Sequence, residues 1–212
     1  MLNILKRWYG RFLGIFSTRS NVKLGLYGPP NGGKTTLANR ISKDILGKEI
    51  EEDSVSKIAH ETREIRVREK LELAVDGRKI TFNLVDTPGI ATKIDYEDFM
   101  RAGMNEKDAK KRAKEATKGV IESIKWLDDM DSVVVVLDAT RDPYSQVNIT
   151  ILGNLAARNI PVLIAANKVD LRRADIKRVR SAFPQYRVVG ISARYGNNLD
   201  DFYKELVDLV GA

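Results

Sequence analysis

The amino-acid sequence predicts an α/β fold: a three-layer arrangement in which helices flank a sheet of about six strands, mostly parallel, with one antiparallel strand. Two observations carry this prediction. Short apolar runs alternate with helical patterns along most of the chain, and continuous apolar runs are typical of parallel strands that are covered on both faces. An Asp76-Gly77 turn between two alternating segments predicts the one hairpin, and with it the antiparallel strand.

Composition narrows the class of protein. The 212 residues are 43% hydrophobic, enough for a core in one domain with a modest extension. The absence of cysteine excludes disulfides, thiolate zinc sites and cysteine nucleophiles. A net charge of +7 favours anionic partners such as RNA, nucleotides or acidic lipids. No apolar run approaches the roughly 20 residues of a membrane span, so we expect a soluble, cytoplasmic protein.

The predicted elements follow the chain in order. Strands are expected at 22–27, in the hairpin on either side of Asp76-Gly77, and at 133–137, 161–166 and 187–191. Helices are expected after Gly33 and at 105–128, 145–158, 172–183 and 199–210. The 105–128 helix places apolar residues along one face: Ala109, Ala113, Ala116, Val120, Ile124 and Leu127.

Residues 1–20 stand apart from the domain that we expect over 21–212. As a helix they separate aromatic and aliphatic residues completely from basic and small ones, and they contain no acidic residue. This pattern is typical of an interfacial membrane helix, here residues 2–17, which would place the protein on the inner face of the membrane. A helix packed on its own domain, or on a second copy, fits the pattern equally well.

A glycine-rich stretch, residues 28–36, is the strongest motif. It places Gly28, four residues, then Gly33, Lys34 and Thr35 between a predicted strand and a predicted helix. Glycines let backbone N–H groups converge on phosphate oxygens, and the helix N-terminus adds positive potential. Lys34 supplies a cation for the outer phosphates, and the Thr35 hydroxyl is placed to bind Mg²⁺.

Polar residues also follow three later predicted strands. Asp86-Thr87-Pro88-Gly89 places a second Mg²⁺ ligand and a phosphate-facing N–H at the sheet edge. Asn167-Lys168-Val169-Asp170 places a carboxylate that suits the two adjacent N–H groups of guanine, which adenine lacks. The Lys168 stem is expected to cover the base. Ser192-Ala193-Arg194 offers the Ala193 N–H to the guanine carbonyl oxygen.

These motifs, in this order, resemble those of TRAFAC-class GTPases and, within that class, the Era group (Era, EngA and TrmE types). Glu61-Thr62-Arg63 is similar to the switch-I signature of that group, and 136–141 is similar to its fourth strand. The resemblance covers residues 22–210 and implies the P-loop NTPase fold, GTP as substrate and Mg²⁺ as cofactor. Because the chain ends at Ala212, directly after its last predicted helix, we expect no KH domain, and the RNA-binding role of that domain does not carry over.

The resemblance also implies roles for single residues. Thr62 would close over the nucleotide and bind Mg²⁺, and Asn31 would help to coordinate K⁺. Ile90 stands where a glutamine positions the attacking water in Ras, and it has neither donor nor acceptor. We therefore expect slow hydrolysis stimulated by K⁺, by a nucleotide-dependent homodimer or by another partner. His60 lies in the predicted switch, but no second signal gives it a catalytic role.

The predicted site has three overlapping sets of residues. The catalytic candidates are Lys34, Thr62, Asp86 and Gly89. The nucleotide-binding candidates are Pro30, Asn31, Gly32, Gly33, Lys34, Thr35, Thr36, Asn167, Lys168, Asp170, Ser192, Ala193 and Arg194. The metal candidates are Thr35, Thr62 and Asp86 for Mg²⁺, with Asn31 for K⁺.

The sequence favours a GTP-hydrolysing switch, with RNA or a ribosomal subunit as its partner. Two basic groups, one around 107–114 and one around 172–180, are candidate RNA contacts, although such runs are often only solvated helix faces. The alternative is a membrane-recruited switch that uses residues 2–17. An adenine-nucleotide enzyme with the same phosphate loop is a third hypothesis, and Asn167 and Asp170 argue against it.

Overall fold

The computed structural model describes residues 22–47, 65–91 and 95–211. Its sheet has six strands in the order β2-β3-β1-β4-β5-β6. The strands are β1 Val22–Tyr27, β2 Arg66–Val75, β3 Arg78–Asp86, β4 Ser132–Asp138, β5 Val162–Asn167 and β6 Arg187–Ile191. Strand β2 is antiparallel to β3, and the other neighbouring pairs are parallel. The predicted fold class is thus confirmed, including its one antiparallel strand.

Helices connect these strands. They are α1 Lys34–Leu46, α2 Tyr96–Arg101, α3 Glu106–Lys125, α4 Gln146–Ala157, α5 Ile176–Ala182 and α6 Leu199–Gly211. Side-chain caps set several starts: Asn105 accepts from the Asp108 N–H, and Ser145 accepts from the Asn148 N–H. Helix α5 begins at Ile176 rather than at residue 172 because Asp175 caps it there, accepting from the Arg178 N–H. The short helix α2 was not predicted.

The core lies on both faces of the sheet because successive residues of a strand point to opposite sides. In β4, Val134 and Val136 belong to one apolar cluster, with residues of α1 and α6. Val133 and Val135 belong to a second cluster, with residues of α4 and α5. The result is a three-layer domain, and the prediction that this strand is buried on both faces is confirmed.

The hairpin of β2 and β3 contains one departure from simple alternation. Asp76 and Gly77 both have positive φ, at 50° and 77°, as a tight hairpin turn requires. A register shift between Arg68 and Leu71 adds one residue to β2. The side chain of Val67 is therefore 44% exposed, although the sequence pattern placed it with the buried residues of this strand.

The topology gathers the predicted motifs at one edge of the sheet. Parallel strands β1, β3, β5 and β6 all end there, and each leads into a candidate segment. Within the described ranges, no helix has both the length and the apolar character needed to cross a membrane. Residues 1–20 lie outside those ranges, so the predicted N-terminal helix and its boundary stay predictions.

Candidate nucleotide-binding site

The loop between β1 and α1 has the backbone geometry that a phosphate loop needs. Gly33 adopts φ of 97°, in the left-handed region, immediately before the first residue of α1. A Cβ on Gly33 would lie 2.2 Å from Nδ2 of Asn167, so glycine is required by space as well as by conformation. The loop can approach both the helix start and β5 only because this side chain is absent.

Lys34 is the buried cation of the loop. Its side chain is 5% exposed, and Nζ donates to the carbonyl oxygens of Gly28, at 3.2 Å, and Pro29, at 2.9 Å. Burial lowers the pKa of Lys34 to about 8, although the nearby Asp86 charge opposes the shift. Within the described residues, only neutral carbonyl groups accept hydrogen bonds from this buried amine, so its charged form is destabilised by desolvation. An anionic ligand would offset that desolvation.

Asp86 lies at the end of β3 and is fully buried. Burial raises its pKa, and the Lys34 charge is the main influence that opposes this rise, followed by the Thr35 side chain. Even so, neither carboxylate oxygen accepts a hydrogen bond of good geometry from any residue that the structure describes. A buried carboxylate with free lone pairs beside a threonine hydroxyl fits the oxygen ligands that Mg²⁺ prefers.

The segment after Asp86 is fastened to the phosphate loop. The Thr87 hydroxyl donates to the Leu26 carbonyl at 2.7 Å, and the Ile90 N–H donates to the Gly28 carbonyl at 3.1 Å. The side chain of Ile90 is 3% exposed and packs in the second apolar cluster. This position therefore contributes to the core and offers nothing that could orient water.

Asn167, at the end of β5, joins the two ends of the site. Its Nδ2 donates to the Gly32 carbonyl at 2.9 Å, and its Oδ1 accepts from the Ala193 N–H at 3.0 Å. The side chain is 3% exposed, so both bonds are buried. The Ala193 N–H is thus engaged within the protein, and its predicted contact with a base stays a prediction. Asp170, the other base-reading candidate, is exposed.

Lys168 is held by a residue that sequence reasoning had not assigned to the site. Its Nζ contacts Oδ2 of Asp138 at 2.7 Å, and Asp138 also accepts from the backbone N–H and the hydroxyl of Thr140. Although burial acts to raise it, the hydrogen bonds from Lys168 and Thr140 hold the pKa of Asp138 below its usual value. The sequence could have indicated this residue, because Asp138 lies at the end of β4, beside the strands whose ends carry the predicted motifs.

A second unassigned residue, Arg40 of α1, fixes the loop after β6. Its Nε donates to the Ala193 carbonyl at 3.2 Å, and its Nη2 donates to the Arg194 carbonyl at 2.8 Å. Helix α1 thereby links the candidate phosphate loop at its start with the loop after β6, residues 192–194, beside its second turn. We call this second loop the base loop after its predicted role. No sequence motif marks this arginine, because backbone carbonyl oxygens are acceptors at every position.

The remaining candidates are placed as follows. Asn31 is exposed with φ of 60°, and nothing in the described structure tests its K⁺ role. Ser192 is buried and accepts from the Tyr195 N–H at 3.2 Å. The Arg194 guanidinium lies 5.4 Å from the centroid of the Tyr195 ring. Thr62 and His60 lie outside the described residues, so the switch-I prediction is untested.

Comparison with known proteins agrees with this geometry. A family model described as 50S ribosome-binding GTPase matches residues 23–168, which is more than half of the chain. The chain belongs to this GTPase family. Its relatives include GTPase Der of Mycoplasmopsis agalactiae, 31% identical over 198 residues, and tRNA modification GTPase MnmE of Aquifex aeolicus, 29% identical over 195 residues. The predicted resemblance to Era-like GTPases of the TRAFAC class is confirmed.

These relatives are longer proteins. The alignments cover 89% and 92% of this chain but only 38% of Der and 36% of MnmE, so the chain spans little more than a third of their length. Among solved structures, Era in complex with MgGDPNP and nucleotides 1506–1542 of 16S ribosomal RNA superposes with a TM-score of 0.66. At 22% identity, over 90% of this chain and 57% of that one, this likeness shows the fold.

Proposed function

We propose that this chain binds GTP with Mg²⁺ and hydrolyses it to GDP and phosphate, as a switch whose loops report the nucleotide to a partner. The observation that carries the proposal is the Asn167 bridge. It ties the phosphate loop, with its buried Lys34 and Asp86, to the loop of Ala193, so that both ends of one elongated site are held in register. A nucleotide is a ligand with an anionic end and a hydrogen-bonding end.

At the phosphate end, each residue has a distinct role. The N-terminus of α1 presents backbone N–H groups, and Lys34 exchanges its carbonyl partners for phosphate oxygens. Thr35 and Asp86 would hold Mg²⁺, which when bound neutralises charge on the phosphates. Gly89 lies against the phosphate loop, where a Cβ would come within 2.8 Å of the Cα of Pro30. Its N–H would donate to a terminal phosphate bound at this loop.

At the base end, the chemistry selects guanine. The exposed Asp170 carboxylate accepts from two adjacent N–H groups of guanine, and adenine leaves that carboxylate without partners. Asp138 holds the Nζ of Lys168, and the aliphatic stem of this lysine would cover the ring. GTP is therefore the substrate that the side-chain chemistry favours over ATP.

We expect slow hydrolysis by the isolated protein. Ile90 is buried in the core, and the Thr87 hydroxyl is engaged by the Leu26 carbonyl, so neither positions a water molecule. Faster hydrolysis then has to come from K⁺ near Asn31, from a homodimer or from another partner.

Phosphate release from GTP tests this proposal. The assay contains Mg²⁺ and compares K⁺ with Na⁺ at equal ionic strength, with Asp86→Asn as the isosteric control. We expect slow turnover that K⁺ accelerates, and loss of the Mg²⁺ dependence in the variant. Rapid turnover by the monomer in Na⁺, or no turnover above the variant's level under any condition, would contradict it.

The proposed partner is RNA or a ribosomal subunit. Support comes from the net charge of +7 and from similar proteins, which include a tRNA modification GTPase and Era in complex with 16S ribosomal RNA. Membrane recruitment through residues 2–17 depends on the sequence pattern alone. Deleting residues 1–20 separates the two partners. The deletion should abolish any binding to lipid vesicles and leave ribosome binding intact.

A further inference from the structure

The outward face of α3 carries an unusual line of charge. Six exposed residues recur every three or four positions, so they lie within about 40° of a single line along the helix. Five are lysines and none is acidic. These six residues, which we call the lysine stripe, are Lys107, Lys111, Lys114, Lys118, Ile121 and Lys125. At about 1.5 Å per residue the stripe is about 27 Å long.

The direction of the lysine stripe is fixed by packing on the opposite side of α3. Ala109 and Ala116 are buried against Phe99 of α2, and Ile124 packs on the second apolar cluster. Near the end of the helix, the Ser123 carbonyl accepts from the buried Tyr27 hydroxyl at 2.9 Å. Rotation of α3 would break these contacts, so the stripe faces solvent as a rigid surface.

Most of this charge is not neutralised by carboxylates of the residues that the structure describes. Lys118 has a carboxylate partner, Glu122, at 3.7 Å. Within the described ranges, no carboxylate lies within ion-pair distance of Lys107, Lys111, Lys114 or Lys125. A line of four such ammonium groups suits a regular polyanion better than an acidic protein loop. In a nucleic acid, each phosphate contact releases condensed counterions, which favours binding.

We propose that the lysine stripe binds the phosphate backbone of double-helical RNA. The stripe has no aromatic side chain on which unpaired bases could stack, which disfavours single strands. Ile121 is its only apolar residue, too little to insert into a membrane interface. Lysines act as point charges towards phosphates without requiring a base sequence. The inference rests on the RNA partner of the proposed function and gives that partner a docking surface.

The second basic group offers a contrast and a control. It lies around α5, a helix of only seven residues, so its cations cannot form a line of comparable length. Arg178 pairs with Asp142 at 2.9 Å, and Arg180 donates to the Val188 carbonyl. Removing the same amount of charge here tests whether binding depends on the stripe or on net charge alone.

The experiment measures binding of the full chain, loaded with GDP, to a 24-base-pair RNA duplex over a range of salt concentrations. One variant combines Lys107→Gln, Lys111→Gln, Lys114→Gln and Lys125→Gln. The control combines Arg172→Gln, Arg173→Gln, Lys177→Gln and Arg180→Gln. We expect the stripe variant to lose about 100-fold in affinity at low salt and about 3 to 4 units of the log–log salt slope, and the control to lose less than about 5-fold.

Several outcomes would overturn the inference. They are equal losses in both variants, no loss in the stripe variant, no RNA binding by the natural chain, or a stripe-dependent affinity for vesicles of anionic phospholipid that exceeds that for RNA. GDP affinity, measured on the same samples, separates this inference from the proposed function. With GDP binding intact, failure of the natural chain to bind RNA refutes both the stripe and the RNA partner, and the other outcomes refute only the stripe. A natural chain that does not bind GDP refutes the proposed GTP-binding function.

Discussion

The two ends of the candidate site are built in opposite ways. At the phosphate end, Lys34 and Asp86 are buried with shifted pKa values, and the Asp86 carboxylate has no hydrogen bond of good geometry within the described residues. At the base end, the supporting groups are already paired: Asn167 with Gly32 and Ala193, and Lys168 with Asp138. One end keeps its electrostatic capacity for a ligand, whereas the other is assembled in advance. Binding should therefore offset the desolvation of Lys34 and Asp86 at the phosphate end and require little ordering of side chains at the base end.

The largest expected effect is at the phosphate end. Lys34→Met should lower the affinity for GDP by about 100-fold or more, because a charge-assisted contact to the phosphates is lost. Calorimetric titration in the presence of Mg²⁺ measures this. Lys43→Met, on the exposed side of the same helix, is the control and should change the affinity by less than about 2-fold. Equal affinities for the two variants would show that Lys34 does not face the ligand.

At the base end, the equivalent change should affect stability. Asn167→Ala leaves the Gly32 carbonyl and the Ala193 N–H buried without partners, which should lower the free energy of unfolding by about 2–3 kcal/mol. Urea denaturation without nucleotide measures this. Asn154→Ala is the control, since its amide donates to the Thr150 carbonyl and accepts from the partly exposed Arg158 side chain, both within four positions. It should cost under about 1 kcal/mol. If the two variants lost the same free energy of unfolding, the hydrogen bonds of Asn167 would contribute no more to stability than those of Asn154.

The shifted pKa of Lys34 predicts a pH dependence confined to the nucleotide-free protein. Between pH 8 and 10.5 the unfolded chain retains a proton that the folded chain has released, so stability rises with pH in this window. From pH 7 to 9.5, the natural chain should gain about 1–2 kcal/mol relative to Lys34→Met. Urea denaturation of both proteins at the two pH values measures the difference. A constant difference would mean that the pKa of this lysine is ordinary.

The smallest of these effects is expected at Arg40. Arg40→Ala frees the carbonyls of Ala193 and Arg194, so the base loop loses its support while the phosphate loop keeps its own contacts. GDP affinity should fall by about 10-fold, and the preference for GDP over ADP should fall with it. Arg40→Lys should recover part of the loss by reaching one carbonyl. An unchanged GDP-to-ADP ratio in Arg40→Ala would assign Arg40 a purely structural role.

The sequence located the candidate site residues by local patterns but not the residues that support them. Glycine spacing and strand ends located the phosphate loop, Asp86 and the Asn167–Asp170 segment, because these patterns are local in the chain. Arg40 and Asp138 were missed because the contacts that join them to the candidate site connect distant segments: Arg40 lies 153 positions from Ala193, and Asp138 lies 30 positions from Lys168. Contacts between distant segments depend on the assembled fold, which a local pattern does not encode.

The same distinction holds for the fold. Apolar runs predicted the strands and their parallel arrangement, and the Asp76-Gly77 turn predicted the hairpin. The bulge in β2 could not be predicted, because one extra residue changes which face Val67 occupies without changing the apolar pattern. Helix α5 starts at Ile176 and not at the predicted residue 172, because the Asp175 side chain caps the helix there. The three residues before Asp175 are each compatible with a helix, so the sequence did not reveal this start.

Titration with GDP and with ADP, each with Mg²⁺, tests most directly whether one site reads phosphate at one end and guanine at the other. The natural chain should bind GDP at least about 100-fold more tightly than ADP, and Asp170→Asn should remove most of that preference while leaving ADP affinity unchanged. Equal affinities for GDP and ADP in the natural chain would contradict the account, because the base end would then not recognise guanine.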